Sequence, residues 1–174
     1  SAYDKGSIFL SQLQYVIGKE NFDNTLKRYF DDWSFKHPKP NDFIRSAEKV
    51  SGLELDWYLL DWAQSTMTID YSINSLYGVD NKTRIVLKRI GQMGMPIDLR
   101  IKLKSGETLD YNIPMTKMRG SKPLQSSTLL KSWSWAKPYY EVWLDVDSKN
   151  ISKITIDPKN EMADVNRNNN CLVL

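Results

Sequence analysis

The hydrophobic pattern of this chain changes its period once, within the short stretch AQSTMTIDYSI around residue 66. Before that stretch, apolar residues recur at helical spacing. After it, they recur at alternate positions, as on one face of a strand. Such a switch limits the chain to a helical unit followed by a sheet unit, an α+β class. The division falls at residues 1–66 and 67–174. The abruptness of the change favours a packed interface between the two parts over a flexible tether.

The helical part resolves into about four helices. Phe9, Leu10, Leu13, Val16 and Ile17 share one face, and Gly18 stops the run. Phe22, Leu26, Tyr29, Phe30 and Trp33 repeat the pattern in a second helix, which the HPKP stretch breaks at two prolines. A third helix has Asn41 as its expected N-cap, Phe43, Ile44, Ala47 and Val50 on one face, and Gly52 at its end. The fourth runs through LDWYLLDWAQ with Leu55, Leu59 and Trp62 inward.

In the second part, Met67, Ile69, Tyr71 and Ile73 alternate with polar residues. Ile97, Leu99, Ile101 and Leu103 do the same, KSGET reads as a hairpin turn, and Leu109, Tyr111 and Ile113 return. TRIVLKRIG, the alternation from Tyr140 to Val146, and ISKITIDP supply further strands. Strands with one apolar face predict an antiparallel β-sandwich. Lys117 to Pro138 reads as a long loop.

Composition narrows the function classes. The hydrophobic fraction is 41%, but six tryptophans, nine tyrosines and five phenylalanines offer large areas for burial. Net charge is +3, with both signs interspersed. The densest basic segment, Lys82 to Arg89, threads its charges between Ile85, Val86 and Leu87, as on the wet face of a strand. Nucleic acid is therefore not an expected partner. No apolar run reaches the length of a membrane span.

Few residues bring chemistry. His37 is the only histidine and Cys171 the only cysteine. A His-x-x-x-His metal pair and a cysteine metal knuckle are thus excluded within this chain, as are most Ser/His or Cys/His dyads, and His37 reads as an exposed polar loop residue. Asp31 with Asp32, and Asp145 with Asp147, lie at element ends and read as solvated. The terminal CLVL reads as the end of a last strand. Trp133, Trp135 and Trp143, beside Tyr139 and Tyr140, read either as a sugar-stacking face or as cover for a sandwich edge.

The order of features carries a resemblance. YDKGSIFLSQLQYVIGKENFDNTLKRYF resembles the stretch that follows the zinc motif in aminopeptidase N-like zinc metallopeptidases, the gluzincin family that includes leukotriene hydrolase. Tyr3, Lys5, Gly6, Ile17, Gly18, Phe22, Leu26 and Tyr29 match its Tyr-x-Lys-Gly, its Ile/Leu-Gly and its Phe-x-x-x-Leu-x-x-Tyr. HPKPNDFIRSAEKVSGLELDWYLLDWAQ is similar to the continuation, with its Asp-Phe helix, Ser-Gly-x-x-Leu and Trp-x-x-x-Trp, and ITIDPKNEMADVNRNNN is similar to the closing segment. The resemblance implies that residues 1–66 are the end of a thermolysin-like catalytic domain and that residues 67–174 are its β-sandwich. It also implies a zinc-dependent removal of N-terminal residues from peptides. Tyr3 then takes the role of the hydroxyl that faces the developing oxyanion.

The family's His-Glu-x-x-His, its further Glu ligand and its Gly-x-Met-Glu-Asn loop are not in this sequence. The chain is therefore expected to be a C-terminal fragment that is inactive alone and holds no zinc. Zinc and the peptide substrate belong to the missing N-terminal part, and no cofactor-binding or metal-ligating residue is assigned in this chain. A helical lobe without its native cover is expected to expose an apolar face, with Phe9, Tyr15, Tyr29 and Trp33 as its candidates, and to self-associate through it. The alternatives are a non-catalytic β-sandwich module that binds carbohydrate or a protein partner, and a family member that has lost its zinc site.

Overall fold

A computed structural model describes the backbone of residues 2–174 and the side chains of residues 4–174. Four helices come first: α1 (Ala2–Ile17), α2 (Lys19–Trp33), α3 (Pro40–Ser51) and α4 (Asp56–Gln64). Gly18 separates α1 from α2 with a φ of 86°, a conformation that L side chains avoid. Gly52 closes α3 in the left-handed region, and its N–H donates to the Glu48 carbonyl.

Asn41 is not the N-cap of α3. Pro40 has its φ fixed for the first helical position, so the cap moves back to Lys39, whose N–H donates to the Asp42 carboxylate at 2.7 Å. In α4, Trp57 and Tyr58 are buried, while Leu59 and Trp62 are half-buried and Leu55 is buried ahead of the helix.

Residues 65–70 lead into the strands β1 (Tyr71–Val79), β2 (Lys82–Arg89), β3 (Ile97–Leu103), β4 (Thr108–Ile113), β5 (Thr128–Leu129), β6 (Tyr139–Leu144), β7 (Ile151–Ile156) and β8 (Cys171–Val173). One sheet has the order β1-β2-β6 and the other β5-β4-β3-β7-β8. Hence the class is α+β, as expected. The sandwich is not wholly antiparallel, because β5 runs parallel to β4. The connection over residues 114–127 is long enough to bring the chain back in the same direction.

The first strand also starts later than the alternation suggested. The backbone before Tyr71 bonds to loops instead of a neighbouring strand. Ile90 N–H and Gly91 N–H donate to Asp70, Met93 N–H donates to Thr68, and Val165 N–H donates to Ile69.

Helices and sheets share one apolar core. It runs from Leu13, Val16, Ile17 and Ile44 through Leu55 and Tyr58 to Ile85, Leu87, Ile97, Leu99, Ile154 and Ile156. Polar groups fix the seam between the two parts. The side chain of Gln12, 3% exposed, donates to the Glu161 carbonyl at 2.8 Å and accepts from Ala163 N–H at 2.9 Å. It pairs with that segment as a strand would. The same loop is shaped by Asp157, which holds a φ of 52° while its carboxylate accepts from Glu161 N–H and Met162 N–H.

Tyr15 completes the seam. Its hydroxyl donates to the Pro96 carbonyl at 3.0 Å and accepts from Asp98 N–H at 3.2 Å. Burial pushes that hydroxyl well above its ordinary pKa, and the charge of Asp98 adds to the effect.

Candidate functional site

Tyr3, the residue expected to meet an oxyanion, belongs to the first turn of α1 by its backbone, but its side chain lies outside the described residues. The turn that follows it is open to solvent from Asp4 to Ile8. A Cβ added at Gly6 meets nothing within 4 Å. A glycine inside a helix costs about 1 kcal/mol relative to alanine. At Gly6 no close contact among the described residues offsets that cost.

The donor set for a metal is poor. His37 is exposed in the α2–α3 loop, and Cys171 is exposed on β8. Glu48, Glu54 and Asp56 form an acidic group whose oxygens lie within 4.8 Å of one another, a grouping that residue spacing did not reveal. Glu48 already accepts the Leu55 N–H at 2.8 Å, and Glu54 and Asp56 are exposed. Three carboxylates without a nitrogen or sulfur ligand, two of them in open water, do not fit a catalytic zinc centre. Asp31 and Asp32 are exposed, as expected. Asp145 pairs with Lys82, and Asp147 caps a short turn by accepting from Lys149 N–H.

Among the described residues, hollows of different character mark the surface. A polar cleft of about 560 Å³ lies where α1 and α2 meet β3 and β4. Four of its charged residues are engaged with one another in two pairs. Arg100 grips Asp110 through two bonds of 2.7 and 2.8 Å, which hold the Asp110 carboxyl below its ordinary pKa. Lys122 bonds Asp98 at 2.6 Å, and its ammonium stands 4.5 Å from the centre of the Tyr15 ring. That arrangement braces the seam.

The second hollow is an apolar groove of about 700 Å³ on α2, lined by Leu26, Tyr29, Phe30, Trp33 and Pro38. Here the expected exposed face is corrected in its members. Tyr15 is buried, because its hydroxyl finds partners across the seam, and Phe9, Tyr29 and Trp33 are half-buried. Leu10, Leu26 and Phe30, members of the apolar helical pattern, are exposed, Phe30 at 69%. Phe35, which holds a φ of 62°, lies fully in solvent.

The third hollow, about 220 Å³, sits between α4 and the end of β2 and touches Asp61, Arg89, Lys117 and Trp135. Sequence reasoning missed it. The available signal was a lone acid, Asp61, inside the apolar run YLLDWA.

The three tryptophans divide. Trp133 is buried between Tyr71 and Tyr140, with ring centres 5.4 and 5.3 Å away. Trp135 and Trp143 are exposed, on a loop and on β6 respectively. They do not form one continuous face with Trp133.

Comparison with known proteins supplies what these residues do not. Residues 1–62 match the family model described as the Peptidase family M1 domain. A glutamyl aminopeptidase from Rattus norvegicus is 30% identical over 83 residues, which are 48% of this chain and 8% of that protein. The crystal structure of Legionella pneumophila aminopeptidase A in complex with aspartic acid superposes with a TM-score of 0.56 at 17% identity. That match covers 89% of this chain and 16% of the Legionella chain. At such identity the likeness speaks for the fold.

Proposed function

This chain is related to the M1 aminopeptidases, and we propose that it is the C-terminal portion of a zinc-dependent aminopeptidase acting on the N-terminus of peptides. One observation carries the reading: the family match ends at residue 62, inside α4, so it follows the helices and stops where they stop. The described residues of this chain do not fit a zinc centre, so in this reading the zinc ligands lie in other parts of the protein. Residues 1–66 then act as the closing helices of the catalytic domain, and residues 67–174 as the sandwich that braces them.

Tyr3 is the residue of this chain assigned to the chemistry. Its hydroxyl donates a hydrogen bond to the oxyanion of the tetrahedral intermediate in peptide hydrolysis. Such a bond strengthens in the transition state, so its loss lowers turnover and leaves substrate binding nearly intact. Removing one oxyanion donor typically costs about 100- to 1,000-fold in turnover. Tyr3→Phe in the full-length protein is expected to show that loss in kcat with KM and metal content unchanged. Equal turnover in the two proteins would reduce Tyr3 to a packing residue. A full-length protein without aminopeptidase activity toward any aminoacyl substrate would remove the reading itself. For the 174-residue chain alone, no hydrolysis and no stoichiometric zinc are expected by metal analysis.

A further inference from the structure

The hollow between α4 and the end of β2 holds an unusual distribution of charge. Asp61 follows the run Trp57–Leu60 on α4, and among the described residues its carboxylate accepts no hydrogen bond and joins no ion pair; its backbone carbonyl accepts from the Ser65 hydroxyl. Burial pushes the Asp61 carboxyl above its ordinary pKa, and the positive charge of Lys117 pulls it back. Lys117 is thus close enough to act on Asp61 without touching it. Both line the same cavity of about 220 Å³, and so does Arg89.

The two cations have a shared second task. The Lys117 ammonium stands 4.9 Å from the centre of the Trp135 ring, and Arg89 Nη2 donates to the Trp135 carbonyl. These contacts position an exposed tryptophan beside the cavity. Trp57 and Met115, both buried, give it an apolar wall.

The charge pattern selects the ligand class. A purely cationic guest meets Arg89 and Lys117. A purely anionic guest meets the partly buried Asp61 carboxylate. A molecule with both charges a short distance apart satisfies all three groups, and an apolar side chain suits the aromatic and thioether wall. The cavity is smaller than the roughly 300–1,000 Å³ of drug-sized sites, which suits a guest of amino-acid size. We propose that this cavity binds a free α-amino acid with an apolar side chain, its ammonium on Asp61 and its carboxylate on Arg89 and Lys117. Such a molecule is also what an aminopeptidase releases, but the cavity's geometry does not depend on that activity.

The test is titration calorimetry on the whole 174-residue chain, with tryptophan fluorescence from Trp57 and Trp135 as an independent signal. The probes are L-leucine, 3-methylbutylamine, which lacks the carboxylate, and 4-methylpentanoate, which lacks the ammonium. L-leucine is expected to bind saturably at one site per chain, and each single-charge analogue at least about 10-fold more weakly. Asp61→Asn and Lys117→Met are each expected to weaken L-leucine by at least about 10-fold, with unchanged thermal unfolding. Asp61 makes no side-chain bond whose loss would unfold the chain, so Asp61→Asn keeps the test decisive even if Lys117→Met perturbs Trp135. No saturable binding up to about 10 mM would overturn the proposal. So would equal binding of L-leucine and either analogue, or L-leucine affinity unchanged in both variants.

Discussion

The inner side of α1 and the outer side of α2 carry similar apolar patterns and meet opposite fates. On α1, Leu13, Val16 and Ile17 are buried, and the polar atoms of Gln12 and Tyr15 are paired with backbone across the seam. On α2, Leu26 and Phe30 share a face with the buried Phe22 and are bare. The contrast teaches that periodicity identifies an apolar face and leaves its cover undetermined. What covers α1 is a sheet and a loop far along the chain. For the groove on α2, no described residue provides the equivalent.

The largest expected effect breaks or upholds this comparison directly. Gln12→Ala strands the Glu161 carbonyl and the Ala163 N–H in a partly buried seam, and at about 1–3 kcal/mol for each stranded group it should cost about 2 kcal/mol or more. Denaturant unfolding measures it. A cost below about 1 kcal/mol would mean that water replaces the side chain and that the seam is not dry.

Tyr15→Phe comes next. It removes one hydroxyl that serves as both donor and acceptor, for an expected loss of about 1–2 kcal/mol. Its ring still fills the space and still faces Lys122.

The pH dependence sharpens the comparison within the polar cleft. Asp110 has a folded pKa below its ordinary value, so its stabilising contribution is complete above the unfolded carboxylate pKa, near 4, and fades as pH falls through the folded value. Because Arg100 is partly exposed, the contribution should be about 1 kcal/mol or less. Arg100→Met should flatten that part of the acid limb. Asp61 behaves in the opposite sense, since its folded pKa is raised. Its charge opposes folding above the folded value, and Asp61→Asn should be at least as stable as the parent at neutral pH.

Two smaller effects close the series. Gly6→Ala should stabilise the chain by about 0.5–1 kcal/mol, since an alanine methyl there meets nothing. Phe30→Ser should change stability by no more than about 0.5 kcal/mol, because its ring already lies largely in water. A loss from Phe30→Ser comparable to that from Gln12→Ala would show that the α2 face is covered in solution.

Local rules account for what was legible in the sequence. The β3–β4 hairpin was readable because Leu and Ile alternate on both sides of KSGET and Gly106 takes the turn at a φ of 93°. The helix ends at Gly18 and Gly52 were readable for the same reason, a glycine where the backbone needs positive φ. Residues whose partners are remote were not. Gln12 on a helix reads as a wet residue until a segment some 150 positions later meets it. Likewise, the ring of Tyr15 looked like surplus aromatic surface, because its hydroxyl partners at Pro96 and Asp98 are invisible to a helical pattern. The cavity beside Asp61 joins four separate segments of chain, and no one of them carries a motif. For Tyr3, the order of flanking residues pointed to a role that no property of the tyrosine itself suggests.

The bond from Gln12 to Glu161 spans a sequence separation of 149 residues. A ribosome adding about 5–20 residues per second makes α1 roughly 7–30 s before it makes the loop that holds it. Through the first part of that interval the face of Leu13, Val16 and Ile17 precedes the strands it packs against, and Gln12 has no partner until the interval ends. Contacts of such range also slow folding, so α1 is made well before the segment that locks it in place.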